Sequence, residues 1–424
     1  MTPAAERIPF RDRLHPAATL AILLAALIFN AAFCFANTSL FAVNDTMVMG
    51  AEAMILAAAF SFALGRGLGL YVLLAAFISY CAVLMALRPM IDPKAVRDIL
   101  IPIAFFAMGR RMPDPRLADR AALWSGVIVV AMGLFEHLAL DTYVSFFNII
   151  KYYVARGTVA PSEVVETAGA LFESGVRPDA RALFPFLGMH RTSSVFLEPV
   201  SPGNFGAILI LWSLYRRQMR FRKLVAVLGA VSIILADARF GATVSVAATI
   251  AFMVSGRLPK ALFVALPFLI LAAIATYGLT TAEKVWGNDF AGRLLWTAML
   301  LTSLSPEAVF GLSPEKPFLA DSGYAYTLNQ IGLLGFIALW TLFVALPERT
   351  RRAWRFKAAA ITYICLLMVI SDSVYTIKTG ALLWFMLGVA AGAPEEEPTA
   401  EAASPRRYQP RPAAGWAGTT PRAA

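Results

Sequence analysis

The residue types best suited to chemistry gather in three short stretches. The first runs from His190 and Arg191 through Thr192, Ser193 and Ser194 to Glu198, Pro199, Pro202, Gly203 and Gly206. The second is Asp237, Arg239 and Gly241, and the third is Asp321, Ser322, Gly323, Tyr324 and Tyr326. Each flanks an apolar run, where an ionisable group is costly and therefore pairs or serves a site. Each also has an ordinary use. His190, one of three histidines, has Arg191 beside it, which disfavours the imidazolium and leaves a neutral ring able to act as a base. An exposed loop histidine is the plain alternative. Glu198 is a base or acceptor-binding carboxylate, or else a helix cap, since Pro199 and Pro202 suit a helix start. Asp321 has the same pair of readings. Arg191 is either a snorkelling interfacial arginine or a functional cation. Arg239 either pairs with Asp237 inside a tight hydrophobic hairpin or works from it. Tyr324 and Tyr326 suit an interfacial aromatic belt. Lys378 and Asp372 read as a structural ion pair.

Familiar nucleotide and metal signatures are missing. The chain has no GxxxxGK[ST] loop, no GxGxxG after a strand, no HExxH and no Asp-x-Asp pair. Cys34, Cys81 and Cys365 lie in or beside apolar runs without metal-ligand spacing. No disulfide framework, metal or other cofactor is therefore expected.

The elements that must position these residues are written in the composition. The 424 residues are 59% hydrophobic and 15% charged, against about 25% charged in soluble domains. Ala17 to Ala36 and Ala261 to Thr281 carry no charge at all, and about 20 such residues cross a hydrocarbon core. The net charge of +10 comes from arginines and lysines in short loops between apolar runs, which argues for a membrane and against nucleic acid as partner. The first apolar stretch is too long for a signal-peptide core and reads as a retained helix.

The expectation is an all-α, polytopic transmembrane bundle over 1–393 with twelve spans, eleven being the alternative. They fall at 17–36, 44–64, 68–87, 96–109, 121–140, 202–215, 224–238, 240–255, 259–279, 324–346, 358–376 and 379–393. Three basic loops, with Arg110 to Arg120, Arg216 to Lys223 and Arg349 to Lys357, then share one side with both termini, the cytoplasmic side. Two long loops, 141–201 and 280–323, face outward with the candidate residues. The aromatic opening of the first, Tyr143 to Tyr153, is expected to lie in the interface. Residues 394–424, rich in Pro, Ala, Glu and Arg, read as a disordered cytoplasmic tail. No internal repeat is evident.

With this layout, the stretch Arg191–Phe205, Arg239 and the segment Asp321–Tyr326 before a glycine-rich span resemble bacterial exopolysaccharide polymerases. These belong to the O-antigen polymerase and ligase superfamily. The resemblance implies a multi-pass protein of the bacterial inner membrane. Such a protein joins oligosaccharide repeat units carried on a polyprenyl diphosphate lipid, at the periplasmic face and without metal. Arg191 and Arg239 would then bind diphosphate through their bidentate, permanently charged forks. Donors aimed at developing charge contribute about 3–4 kcal/mol each in such steps. Glu198, His190 or Asp321 would supply the base for the acceptor hydroxyl. Arg293, with Arg156, Arg177 and Arg181, would contact glycan or phosphate, and Tyr324 and Tyr326 would be sugar platforms if not belt residues. The implied partners are the lipid-linked glycan, membrane lipid, a flippase and a chain-length regulator. Two alternatives stay open: a ligase moving finished glycan to another acceptor, and a twelve-span secondary transporter, which predicts broken helices and mid-membrane charges.

Overall fold

The computed structural model describes residues 10–65, 67–88, 93–159, 170–172, 175–176, 183–281, 290–313, 319 and 321–394. Among them are helices and no strand; Val176 and His190 form an isolated antiparallel bridge. The compact unit is Met1–Ala393, and of the expected tail only Pro394 lies among the described residues. Every one of the twelve expected spans falls on a helix. These are α1 (Phe10–Ser39), α2 (Asp45–Ala63), α3 (Leu68–Leu87), α4 (Pro93–Arg111) and α5 (Pro115–Leu138). After the short α6 (Leu140–Phe146) and α7 (Ile149–Ala155) come α8 (Ser201–Tyr215), α9 (Arg222–Leu235), α10 (Arg239–Val254) and α11 (Lys260–Thr280). The second long connection holds α12 (Phe290–Ser303) and the single turn α13 (Pro306–Val309), followed by α14 (Gly323–Ala345), α15 (Arg351–Leu367) and α16 (Ile377–Gly392).

Seven of these helices are long and apolar enough to cross a membrane: α1, α2, α3, α5, α10 with its trailing turn, α11 and α14. That is the pattern of an integral membrane protein. The other five expected spans are shorter or more polar. Of these, α8 and α16 are apolar all round and buried along almost their whole length, as befits helices at the centre of a bundle. α16 is the hub, packing on α4, α1, α15, α5 and α8. Its tightest crossing is with α4. A Cβ on Gly388 would meet the Phe106 carbonyl oxygen at 2.0 Å, and one on Gly109 would meet that of Phe385 at 2.1 Å. Bare backbone on both helices permits this approach.

Three expectations need correction. The span expected at 358–376 stops at Leu367, and beyond it the side chains of Ser371 and Thr376 bond the local backbone of a non-helical turn. The Ser373 amide donates to Ser371 Oγ at 3.1 Å and the Thr376 hydroxyl to the Ser373 carbonyl at 2.9 Å. The aromatic segment from Tyr143 is partly packed into the bundle. It breaks into α6 and α7, and Tyr143 and Tyr152 are fully buried, with Tyr152 Oη donating to Asn30 Oδ1 at 2.5 Å. The tenth span is broken: Gly332 sits at φ 66°, ψ 169°, and a Cβ there would strike the Phe310 carbonyl oxygen at 2.2 Å.

The two ends of the bundle differ in charge. At one end Arg216 pairs with Asp119 at 3.0 Å, Lys357 with Glu348 at 2.5 Å, and Arg352 donates to the carbonyls of Leu214 and Tyr215, both at 2.6 Å. The three basic loops meet there. The candidate residues lie at the other end.

Candidate functional site

The segment from His190 to Glu198 reaches its position by being tied to helix ends. Glu136, in the last turn of α5, is fully buried. Its carboxylate accepts from the Ser193 amide at 2.9 and 2.8 Å and from the Ser194 amide at 2.6 Å, and His190 Nε2 stands 3.0 Å from Oε1. Tyr143 Oη donates to the Ser194 carbonyl at 3.0 Å. On the other flank Arg191 Nε donates to the Ala236 carbonyl at the end of α9, at 3.0 Å. Ser194 and Leu197 take the left-handed conformation at φ 52° and 63°, which residues bearing a Cβ adopt only when surroundings enforce it. This bent, pinned turn carries Glu198 outward.

Four charges then meet around Glu198. Lys378, in the first turn of α16, places Nζ 2.8 Å from Glu198 Oε1 and 3.0 Å from the Phe196 carbonyl, to which it donates. Ser201 Oγ donates to the same carboxylate oxygen at 2.5 Å. Arg293, in the first turn of α12, stands 3.7 Å from Asp321 Oδ2, just before α14. The two pairs sense each other. Burial by itself would raise the Glu198 carboxyl, but Lys378, the Ser201 hydroxyl and Arg293 hold it below the usual range. Burial pushes Asp321 up; Arg293 opposes the rise and Glu198 adds to it. Asp372 joins the same neighbourhood. Burial lifts its carboxyl to about 6, against the pull of Lys94 and with Asp98 and Glu198 contributing.

A second polar chain adjoins it. Arg97 bridges Glu52 of α2 and Asp98, the latter at 2.6 Å, and Tyr326 Oη donates to Asp98 Oδ2 at 2.5 Å. Arg156 donates to Asp45 at 2.8 and 3.0 Å and lies over the rings of Tyr152 and Tyr153.

Glu198, Asp321 and Arg293 are thus brought together. His190 and Arg191 instead hold the turn beneath them; Arg191 is 5% exposed. Arg239 is exposed, and its guanidinium makes no hydrogen bond or ion pair with a described residue. The Phe240 ring stacks on Phe290 at 6.2 Å, which sets the first turn of α10 beside that of α12. The expected pairing of Arg239 with Asp237 is not formed, because Asp237 is buried and accepts from the Leu183 amide at 3.0 Å. The expected Lys378–Asp372 pair is also corrected: the turn presents Glu198, not Asp372, to Lys378. Neither acid caps a helix. The cap of α14 is Ser322, whose Oγ accepts from the Ala325 amide at 3.3 Å, and α8 has no side-chain cap. Tyr324 is fully buried with its hydroxyl on the Cys365 carbonyl at 3.0 Å, so it forms part of the core, not a belt or sugar platform. Tyr326 is held by Asp98. Arg177 and Arg181 lie outside the described residues.

Sequence reasoning missed Glu136, Asp98 and Lys94. A signal was present for each: an ionisable group inside or at the edge of an apolar run. Chemically, the site offers fixed cations and carboxylates at Asp321 and Asp372 whose proton affinity is raised, that of Asp372 to about 6. It can bind an anion and accept a proton. No protein-family model, curated protein or solved structure matches the chain.

Proposed function

We propose that this chain is a glycosyltransferase that polymerises lipid-linked oligosaccharide repeat units at the outer face of a bacterial inner membrane. The observation that carries the reading is the meeting of Glu198, Lys378, Arg293 and Asp321, drawn from four separate elements, at the end opposite the basic loops. By the positive-inside bias the basic end is cytoplasmic. All twelve helices then act as spans, both ends of the chain are cytoplasmic, and the site faces the periplasm. The acceptor sugar hydroxyl attacks the anomeric carbon of the donor glycan. The bond from that carbon to the polyprenyl diphosphate oxygen breaks, and a carboxylate takes the hydroxyl proton. Diphosphate leaves readily once cations receive its charge, and Arg239 and Arg293 have the chemistry to do so. A base works best with a pKa near the working pH. That favours Asp372, raised to about 6, over Glu198, whose carboxyl is held low. Glu198 and Lys378 position the turn, and His190 and Arg191 anchor it. A flippase delivering the substrate and a regulator of chain length are the partners this function needs.

Arg239→Ala and Arg293→Ala should each stop chain growth at unchanged membrane abundance, with single lipid-linked repeats accumulating. Normal-length polymer from both variants would remove the site assignment. Transfer of finished glycan to a different acceptor uses the same chemistry, and the acceptor consumed separates a ligase from a polymerase. A secondary transporter is the second reading, favoured by the break at Gly332 and by Glu52, Arg97 and Asp98 within helices. Substrate uptake into proteoliposomes without glycan lengthening would favour it.

A further inference from the structure

The bundle contains a cavity of about 1000 Å³ that runs from Arg110 and Arg111 at the basic end to Val374 and Tyr375 near the other. Its walls come from α4 between Ile99 and Arg111, from α14 between Ile331 and Leu346, from the start of α3 and the connection before it, and from α15 and α16 at Ile364, Met368 and Trp384. They are apolar almost throughout, and Arg110 and Arg111 are the charged lining residues. Both arginines are exposed, and neither guanidinium has a hydrogen bond or ion pair with a described residue. Helix α3 is tied to α14 near its C-terminal end. Tyr80 Oη donates to the Ile331 carbonyl at 2.6 Å, and Arg88 donates to the carbonyls of Asn329 and Gln330 at 2.9 and 3.1 Å. Toward its start, Leu70 and Leu73 line the cavity.

We infer that this groove binds a glycerophospholipid with an anionic head group, its acyl chains between α3, α4 and α14 and its phosphate on Arg110 and Arg111. Length supports this occupant. From Ile99 to Arg111 the α4 wall is about 18 Å long at 1.5 Å per residue, and one leaflet contributes about 15 Å of the hydrocarbon core. Charge supports it as well. Two guanidinium forks with no carboxylate to share suit a phosphate, and Lys357 lies within electrostatic range of Arg110. A head group carrying its own ammonium would be repelled by that field. An isoprenoid carrier serving the site at the other end would instead put its phosphates beside Arg293. The inference holds whatever reaction that end performs.

The test is native mass spectrometry of the full-length protein titrated with phosphatidylglycerol and, separately, phosphatidylcholine of the same chains. Phosphatidylglycerol should be retained roughly tenfold better, the factor for one net charge-assisted bond. Arg110→Gln with Arg111→Gln should erase the preference at an unchanged unfolding temperature. Leu73→Trp, on the loosely packed start of α3, should reduce retention of both lipids by filling the mouth. Equal retention of the two lipids by the native chain would overturn the inference. So would a preference that survives the double arginine variant, or displacement of phosphatidylglycerol by equimolar polyprenyl phosphate.

Discussion

Lys378 and Glu198 hold each other at 2.8 Å in a partly sheltered site, with side chains 11% and 38% exposed. Removing one partner leaves the other desolvated without compensation, whereas removing both does not. Lys378→Met should therefore destabilise the protein by about 1–3 kcal/mol, allowing for solvent screening at Glu198. Lys378→Met combined with Glu198→Gln should recover most of the loss in thermal unfolding. An additive double variant would contradict the pairing. Asp372 gives a pH signature. Its carboxyl is raised to about 6 in the fold, so between about 4 and 6 the folded state binds more protons than the unfolded one. Its contribution to stability is thus fully present below about 4 and is lost as pH rises through about 6. If Asp372 is the base, activity moves the opposite way and rises through the same window. Asp372→Asn should flatten the stability profile and remove the rise in activity; a rise that persists would assign the base elsewhere. The Glu198 pairing was not legible in the sequence because 180 positions, the difference between 378 and 198, separate the partners. Glu136 was legible only as an isolated acid near the end of an apolar run. Its role depends on the left-handed turn at Ser194 and Leu197, which no residue type there announces.

At the scale of elements, the helices α1, α3 and α11 were plain in the sequence because long uncharged runs admit little else. The shorter α8 and α16 were found as well, but their short length was explained only by burial at the bundle centre. Helix α12 was missed inside a connection read as loop. Its sequence, FAGRLLWTAMLLTS, carries an apolar stripe that pairs it with α11, yet it is too short to stand out as a span. The break at Gly332 was also missed, since a glycine in an apolar helix is common in membranes. Close crossings make a clean test. Gly388→Ala puts a Cβ 2.0 Å from the Phe106 oxygen, so the helices must separate, at about 1–3 kcal/mol. Gly50→Ala meets nothing within 4 Å and should be neutral or stabilising by up to about 1 kcal/mol through helix propensity. Denaturation in detergent should rank Gly388→Ala below native and Gly50→Ala at or above it. Equal stability of the two variants would mean that the α4–α16 crossing is looser than described.

The described helices have one end where the basic loops gather and another where Glu198, Lys378, Arg293 and Asp321 meet. That polarity was legible in the sequence as loop charge; the way it assembles a site was not. The proposed orientation rests on it and can be tested by cysteine labelling, because Cys34, Cys81 and Cys365 are all buried and give little background. A cysteine at Phe186, which is 80% exposed, should react with a membrane-impermeant maleimide in intact cells. A cysteine at exposed Arg220 should react only after permeabilisation, and the reverse pattern would put the site in the cytoplasm. The most direct measurement is made on purified protein in proteoliposomes supplied with lipid-linked repeat units and nothing else. A ladder of longer lipid-linked glycans, formed without nucleotide sugar, ATP or added metal and abolished by Arg293→Ala and Asp372→Asn, is the expected result. No lengthening by the native protein, or a ladder unchanged in both variants, would contradict the proposed function and its site.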